Sequence, residues 1–598
     1  MNKNLFLTAF KKMNDWTFLL ITVLYQFLFI FQGLDFADEG FYATFYQQIF
    51  NNPQSVSFNF MYWFSGILGG TFLYLFPSLG LLGLRVFGII IVTSTIATVY
   101  FALKKYLTLV HLRLGIFMLL FFISNDPKEM YYNNLSAFLY VLSAIFIFNG
   151  LKNSILIYIF WSGAFISLNM FTRSPSILGL IFGFAIPYFG FILHIDLKNQ
   201  LKQIGSLLFG FASMTISVLF VMKAIGHLDI FIENLGIVYG MGIESDSGNN
   251  MITLIKLFIN DYSSSFIYGF LLISFIFIFS SFNSLVSQLT KSNQKTIINL
   301  SLSLIFVISI YFILSHKISW IKILWVFSGL SIIFSILILT SASSKKELKL
   351  LVLLGCLILL IQPFGSAVGL SMMGRYSLWI IFPITIDYIF NIKSVKTEIN
   401  ISSESHWRLL NIYIDEHQIC LIRKYFLGIS ILACLYFSYY YPYFDMSNRT
   451  KMSYSVDSKS LKGIYTTKER ASAVNELLKE SSKYVNKNDY LFAYDNIPMI
   501  HFLTETRPYI RNSWPYFYIP EAFKMATDKS LVRSKELPVV ILQKVSTLYC
   551  DWPQNTIGNF QKISLDIIRD SIMNDFMIKG KYTKVWENKA FEIRIPEK

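Results

Sequence analysis

The sequence predicts a polytopic α-helical membrane protein with about thirteen transmembrane helices and a C-terminal extracytoplasmic α/β domain. Of the 598 residues, 54% are hydrophobic and only 15% are charged, which is more apolar surface than a water-soluble fold can bury. Apolar stretches of about 18 residues or more recur from Thr17 to Tyr441 and then stop. The chain therefore divides into a transmembrane domain, residues 1–443, and a C-terminal domain, residues 444–598.

The net charge of +15 does not predict a nucleic-acid partner. Lys and Arg stand in short groups between the apolar runs, where such residues determine membrane topology. The four cysteines are dispersed and imply no disulfide framework. The expected location is the cell (inner) membrane.

Charge placement also predicts the orientation of the spans. Residues 35–84 contain acids but no Lys or Arg, so this first outer loop is expected outside and the N-terminus in the cytoplasm. Residues 58–76 are apolar and long enough to span, yet a span there would place Lys104 and Lys105 outside. We therefore predict an interfacial or re-entrant segment at 58–76, a second span at 82–103, and an extracytoplasmic C-terminal domain.

The C-terminal domain shows a different pattern from the rest of the chain. Residues 469–484 have the periodicity of an amphipathic helix, and 489–494 and 537–542 resemble short buried strands. Residues 582–595 predict a hairpin that closes the domain.

Acidic candidates for catalysis follow the first two spans. Asp38 and Glu39 stand just past the outer end of the first span, where one carboxylate could act as a general base and the other could orient it. Asp126 lies in the next outer loop. The alternatives are that Asp38 and Glu39 are solvated loop acids and that Asp126 only marks an Asp-Pro turn.

Cationic candidates lie near the same face of the membrane. Arg85 and Arg375 stand in apolar surroundings, where an arginine requires a carboxylate or phosphate partner. For both, a structural ion pair is the alternative interpretation. Arg173, in Thr-Arg-Ser-Pro, could also belong to a simple turn. Acids and cations gathered at one surface predict a site for an anionic lipid-linked substrate.

The order of these motifs resembles a known family. An outer Asp38-Glu39-Gly40-Phe41-Tyr42-Ala43 is followed by Tyr62-Trp63, by Gly83-Leu84-Arg85 and, much later, by Gly374-Arg375-Tyr376. This order resembles the polyprenyl-phosphate-sugar-dependent glycosyltransferases of the GT-C superfamily. The pattern is most similar to that of the protein O-mannosyltransferases and the lipid A aminoarabinose transferases. The resemblance covers roughly residues 15–180 and 365–390.

The resemblance implies an inverting glycosyltransferase that moves a sugar from a polyprenyl-phosphate-linked donor to a lipid, glycan or protein acceptor on the outer face. Asp38 would be the catalytic base, with Glu39 and Asp126 as further catalytic residues. The substrate-binding residues would be Arg85, Arg173, Arg375, Tyr376, Tyr62 and Trp63. Many relatives carry Lys-Pro-Pro before the Tyr-Trp pair, whereas this chain has Ser57-Phe58-Asn59 and lacks that cation.

Other functions remain open at the level of the sequence. A transporter or flippase of lipid-linked glycans would show internal repeats and charges at mid-membrane. An outer-face glycan polymerase or ligase would carry a large basic loop between late spans. No P-loop, dinucleotide fingerprint or His/Cys cluster with metal spacing is present in the sequence. No cofactor is predicted with certainty, and a divalent metal ion is left open.

Overall fold

The computed structural model of the chain describes residues 12–597 except 124–127, 244–250, 291–293, 316–319, 367, 404–405, 415, 441–444, 446–447, 535, 549–550 and 555–563. The described residues among the first 440 are mostly helical. The α-helices there are α1 Asp15–Phe27, α2 Asp38–Gln48, α3 Trp63–Leu75, α4 Gly80–Leu103, α5 Leu109–Ile123, α6 Tyr132–Asn153, α7 Leu156–Thr172, α8 Ala185–Leu193, α9 Leu197–Ala224, α10 Leu228–Ile243, α11 Met251–Thr290, α12 Gln294–Leu314, α13 Trp320–Thr340, α14 Lys346–Ile361, α15 Gly369–Ser377, α16 Ile381–Asn391 and α17 Glu416–Tyr440. A hairpin of β1 Val395–Ser403 and β2 His406–Ile414 precedes α17.

Among the described residues, seven helical segments are long and apolar enough to cross a membrane. They are Pro77–Leu103, Tyr132–Asn153, Ser174–Leu193, Leu197–Ala224, Met251–Phe279, Ile321–Thr340 and Gln418–Tyr440. Shorter apolar helices are Leu109–Ile123, Leu156–Thr172 and Asn299–Leu314. The chain is therefore a largely helical protein with several membrane-spanning candidates, and the figure of thirteen spans stays a prediction.

The apolar segment at 58–76 does not form one long helix. Residues Pro53–Tyr62 form 3₁₀ turns, and α3 has only 13 residues, which corresponds to about 20 Å and is shorter than the hydrocarbon core. Phe58 packs against Phe517 and Tyr518 of the C-terminal domain, with ring centroids 6.0 and 5.1 Å apart. The segment therefore contains only a short helix, and its interfacial or re-entrant position stays a prediction.

The C-terminal domain, whose boundary at residue 444 stays a prediction, contains a five-stranded mixed sheet with the strand order β6-β5-β7-β9-β8. Its elements are β3 Tyr454–Ser455, β4 Tyr465–Thr466, α18 Lys468–Ser481, β5 Tyr490–Tyr494, α19 Met499–Thr504, β6 Arg507–Pro508, α20 Pro520–Arg533, β7 Val539–Gln543, α21 Ser564–Lys579, β8 Tyr582–Glu587 and β9 Phe591–Pro596. Strand β5 is parallel to β6 and β7, whereas β8 and β9 form the antiparallel hairpin at the edge. The predicted helix at 469–484 and hairpin at 582–595 both form.

The first outer loop and the C-terminal domain share one hydrophobic core. Phe36 and Phe41 of the loop belong to the same buried cluster as Phe591 and Trp514 of the domain. Backbone hydrogen bonds join the two parts, because Gly33 N donates to the Tyr465 carbonyl over 2.9 Å and Met499 N donates to the Phe36 carbonyl over 3.0 Å. The residues that carry the candidate site are therefore packed directly beneath the C-terminal domain.

Candidate functional site

The start of α2 is fixed by Asp35, three residues before the predicted base. Its Oδ1 accepts from Ala37 N over 2.8 Å and its Oδ2 accepts from Glu39 N over 3.1 Å. These bonds satisfy amide groups that the first turn of a helix leaves without intrahelical partners. Burial raises the pKa of the Asp35 carboxyl well above its usual range, and the charges of Asp38 and Glu39 add to that rise.

Glu39 binds Arg85 of α4 through both of its oxygens. Arg85 Nε donates to Oε1 over 2.7 Å and Nη2 donates to Oε2 over 2.6 Å. The remaining guanidinium hydrogens reach the carbonyls of Ile30 and Gly33, at 2.7 and 2.8 Å. The Arg85 guanidinium thus joins α4 to the segment between α1 and α2 and to the start of α2.

Asp38 lies in the first turn of α2. Its side chain is 8% exposed. Burial raises the pKa of Tyr42 and of Tyr62 well above the usual range, and the negative charge of Asp38 contributes to both shifts. The predicted base therefore lies within electrostatic range of these two phenol rings.

Four tyrosines from two outer loops form one aromatic cluster beside Asp38, and we refer to it as the tyrosine cluster. Its members are Tyr42, Tyr62, Tyr131 and Tyr132, whose ring centroids lie between 4.3 and 5.8 Å apart in the contacting pairs. Tyr42 is buried, whereas the other three rings are partly exposed. Tyr376 approaches the cluster through Tyr131, at 6.3 Å. Such a surface offers both flat apolar faces and hydroxyl groups to a bound molecule.

The two remaining predicted cations approach the cluster from other helices. Arg173 follows α7, is buried, and donates to the carbonyls of Gln362 and Phe364 over 2.6 and 2.7 Å. Its charge also opposes the rise in the pKa of Tyr62. Arg375 is buried in α15 with its guanidinium 5.4 Å from the Tyr376 ring centre.

Helix α15, which carries Arg375, is positioned by an acid from α11. Asp261 Oδ2 accepts from Leu370 N over 2.7 Å and from Ser371 N over 3.4 Å. Gly369 has φ +56°, and a Cβ there would lie 2.2 Å from the same Asp261 oxygen. The start of α15 therefore requires both this carboxylate and a glycine.

Trp63, predicted to bind substrate, is buried in contact with another aromatic group. Its Nε1 donates to Nδ1 of His227 over 3.2 Å, and only 2% of the residue is exposed. The His227 ring in turn contacts Phe60 and Phe50, at 5.2 and 6.5 Å. Trp63 thus packs α3 against the segment before α10, while the partly exposed Tyr62 beside it belongs to the tyrosine cluster.

Sequence reasoning gave no role to Glu129, which the structure places beside the acids of the first loop. The side chain is fully buried, and neither of its oxygens has a hydrogen-bond partner among the described residues. Burial and the nearby Glu39, Asp35 and Asp38 raise its pKa well above the usual range. The second outer loop is held here because Tyr46 Oη donates to the Met130 carbonyl over 2.6 Å. In the sequence, Glu129 stands next to Lys128, and such a pair of opposite charges is typical of an ordinary solvated loop.

Asp126, predicted as a third catalytic residue, lies outside the described residues. In the part of the chain that the structure describes, no group of three or more His, Cys, Asp or Glu side chains is arranged to hold a metal ion. The divalent metal that the sequence left open thus acquires no ligand set from these residues.

Similarity to known proteins is found among solved structures. No protein-family model and no curated protein matches the chain. The chain is similar to the oligosaccharyltransferase of Archaeoglobus fulgidus, whose crystal structure is a complex with Zn and sulfate, with a TM-score of 0.44 and 12% identity. The match covers 88% of this chain and 68% of that protein. At this level of similarity a common fold is not established, and the function has to follow from the site itself.

Proposed function

We propose that the chain is a membrane glycosyltransferase that moves a sugar from a polyprenyl-phosphate-linked donor to an acceptor on the outer face of the membrane. The observation that carries this proposal is the position of Asp38. Its carboxylate lies at the N-terminus of α2 beside the tyrosine cluster. Because the partly exposed rings of this cluster offer a surface for a sugar, we assign the role of the base to Asp38.

The proposed reaction is a single displacement with inversion. Asp38 accepts the proton of the acceptor hydroxyl while the hydroxyl oxygen forms a bond to the anomeric carbon of the sugar. The bond between that carbon and the donor phosphate oxygen breaks at the same time, and the lipid phosphate leaves with the electron pair. The tyrosine cluster would hold the sugar, since its partly exposed rings offer stacking faces and hydroxyl groups.

The developing negative charge on the leaving phosphate requires cations. Arg173 and Arg375 approach the tyrosine cluster from α7 and α15, and we assign them to the phosphate. Arg85 has a different proposed role, because its positive charge is already paired with the Glu39 carboxylate. We assign Arg85 and Glu39 to positioning the helix that carries Asp38.

The proposed outer location follows from packing and charge together. The first outer loop and the C-terminal domain share the hydrophobic core that includes Phe36 and Trp514, so we expect both on the same face of the membrane. The positive-inside rule predicts that this face is the outer one, because the first outer loop contains no Lys or Arg. A flippase would instead carry its polar groups at mid-membrane.

Mass spectrometry of envelope lipids and glycans, with and without the intact protein, tests the proposal and identifies the transferred sugar. Cells that lack the protein should lose one glycosylated species, and wild-type protein should restore it. Asp38→Asn should restore at most about a hundredth of it, because the amide keeps the shape but removes the base. Asp457→Asn, at an exposed position of the C-terminal domain, is the matched control.

The two possible negative results test the glycosyltransferase function and the assignment of Asp38 as the base separately. An unchanged set of lipids and glycans in cells without the protein would reject the glycosyltransferase. Loss of the species in those cells, combined with full restoration by Asp38→Asn, would reject only Asp38 as the base.

A further inference from the structure

A cavity lies away from Asp38, at the other end of α2. It has a volume of about 340 Å³, which is within the range of small-ligand sites. Its walls come from the end of α2, from α3 and from the C-terminal domain. Tyr46 and Gln48 of this wall are eight and ten residues beyond Asp38, so about 12 to 15 Å along the helix separates the two places.

Hydrogen bonds between the two walls hold the cavity in shape. Gln47 Nε2 donates to the Phe502 carbonyl over 3.2 Å, and Gln48 Nε2 donates to the Thr506 carbonyl over 3.3 Å. Asn52 Nδ2 donates to Asn488 Oδ1 over 3.2 Å. Because these bonds join α2 and its following turn to the C-terminal domain, the cavity is a preformed feature of the fold.

The charges around the cavity cancel. Lys487 and Glu505 line it and form an ion pair with each other. A phosphate or carboxylate ligand would have to displace Glu505 from the lysine, which costs interaction energy. The other polar groups of the wall are mainly side-chain amides, including those of Asn51 and Asn488, and amides both donate and accept hydrogen bonds. This wall fits an uncharged ligand rich in hydroxyl groups.

Aromatic rings and apolar residues surround the opening. Phe50 and Tyr74 line the cavity, with exposed fractions of 41% and 78%. An exposed ring provides a face for the C–H side of a sugar. Next to Tyr74, Leu75 and Phe76 are 61% and 49% exposed, at the end of the short helix that is expected at the membrane interface. Exposed aromatic and aliphatic side chains such as these are typical of segments that lie in the headgroup region of a bilayer.

We propose that this cavity binds the uncharged sugar head group of a membrane lipid. The hydroxyl groups contact the amides of Asn51 and Asn488, the sugar ring packs on Tyr74, and the lipid chain leaves past Leu75 and Phe76. The site is separate from the Asp38 reaction and does not depend on the proposed function.

The full chain in phosphatidylcholine nanodiscs tests this by isothermal titration with dodecyl maltoside, after subtraction of the heat from empty nanodiscs. We expect saturable binding that Tyr74→Ala weakens about tenfold, since the loss of a stacked ring is worth about 1.4 kcal/mol. Tyr454→Ala is the matched control, because Tyr454 is an exposed tyrosine that does not line the cavity. Asn51→Trp, which fills the opening, should abolish binding.

Two comparison ligands test whether the bound molecule is uncharged and whether it is a lipid. Dodecyl phosphate should bind more weakly than dodecyl maltoside, and stronger binding would overturn the assignment to an uncharged head group. Maltose should also bind more weakly, and equal affinity would overturn the assignment to a lipid. Unchanged dodecyl maltoside binding in both Tyr74→Ala and Asn51→Trp would overturn the site itself. The Asp38→Asn protein should bind dodecyl maltoside with the wild-type affinity. A loss of sugar transfer in this variant therefore does not affect the test of the cavity.

Discussion

Glu39 and Arg85 form a bidentate salt bridge in which both side chains are only 2% exposed. The pair connects α2, which carries Asp38, to α4. Removal of one partner from a buried pair leaves an uncompensated charge, and this typically costs about 3 to 5 kcal/mol. The position of Asp38 therefore depends on a cation almost 50 residues away in the chain.

Arg85→Ala should lower the free energy of unfolding by about 3 to 5 kcal/mol, because Glu39 then stays buried without its partner. Thermal unfolding of the purified protein in detergent measures the effect. Lys104→Ala, which removes a half-exposed pair with Asp15, should cost at most about 1 kcal/mol. A stable Arg85→Ala protein with weakened donor binding would instead assign Arg85 to the donor phosphate.

Gly40→Ala should loosen the contact between α2 and the C-terminal domain. A Cβ at residue 40 would lie 2.2 Å from the backbone nitrogen of Met499 and 2.4 Å from its Cα, so the domain would have to shift. We expect faster proteolysis of the C-terminal domain and a lower melting temperature. Gly205→Ala is the control, because nothing lies within 4 Å of a Cβ there. Equal melting temperatures for the two variants would contradict the prediction that close packing at Gly40 stabilises the protein.

The contribution of Glu129 to the stability of the protein should fall as the pH rises above about 4.5, the ordinary glutamate value. The pKa of Glu129 is raised well above 4.5, so the folded protein keeps a proton that the unfolded chain has released. The stability from this group is complete below the unfolded pKa and is lost as pH rises towards the folded pKa. Glu129→Gln stays neutral and should lose less melting temperature between about pH 4.5 and pH 8. Glu521→Gln, at an exposed position of α20, should behave as the wild type, and parallel curves for all three proteins would refute the assignment.

The orientation of the chain can be tested with single cysteines in a background that lacks the native ones. Lys468→Cys, exposed at the start of α18, should react with an impermeant maleimide added outside the cell. Lys105→Cys and Lys346→Cys, also exposed, should react only after the membrane is opened, because positive residues remain inside. Reaction of residue 105 from outside would show that residues 58–76 cross the membrane.

The sequence by itself determined the class of the protein and most of its local structure. Apolar runs with few charges indicate membrane helices because the bilayer core accepts little else. The predicted second span at 82–103 lies within the helix Gly80–Leu103, and the helix predicted at 469–484 is observed at Lys468–Ser481. The formation of a helix depends mainly on residues that are close in the sequence, so hydrophobic periodicity is enough to predict it.

Only the tertiary structure decided which side chains meet. The sequence left Arg85 between a phosphate and a loop acid, and the fold places it against Glu39. Sequence patterns assign no role to Glu129, and the fold buries it beside Asp35 and Glu39. Such pairs join residues that lie tens of positions apart, and hydrophobic periodicity carries no information about a partner at that separation. Burial, which sets the strength of these electrostatic contacts, likewise exists only after the outer loops and the C-terminal domain have packed together.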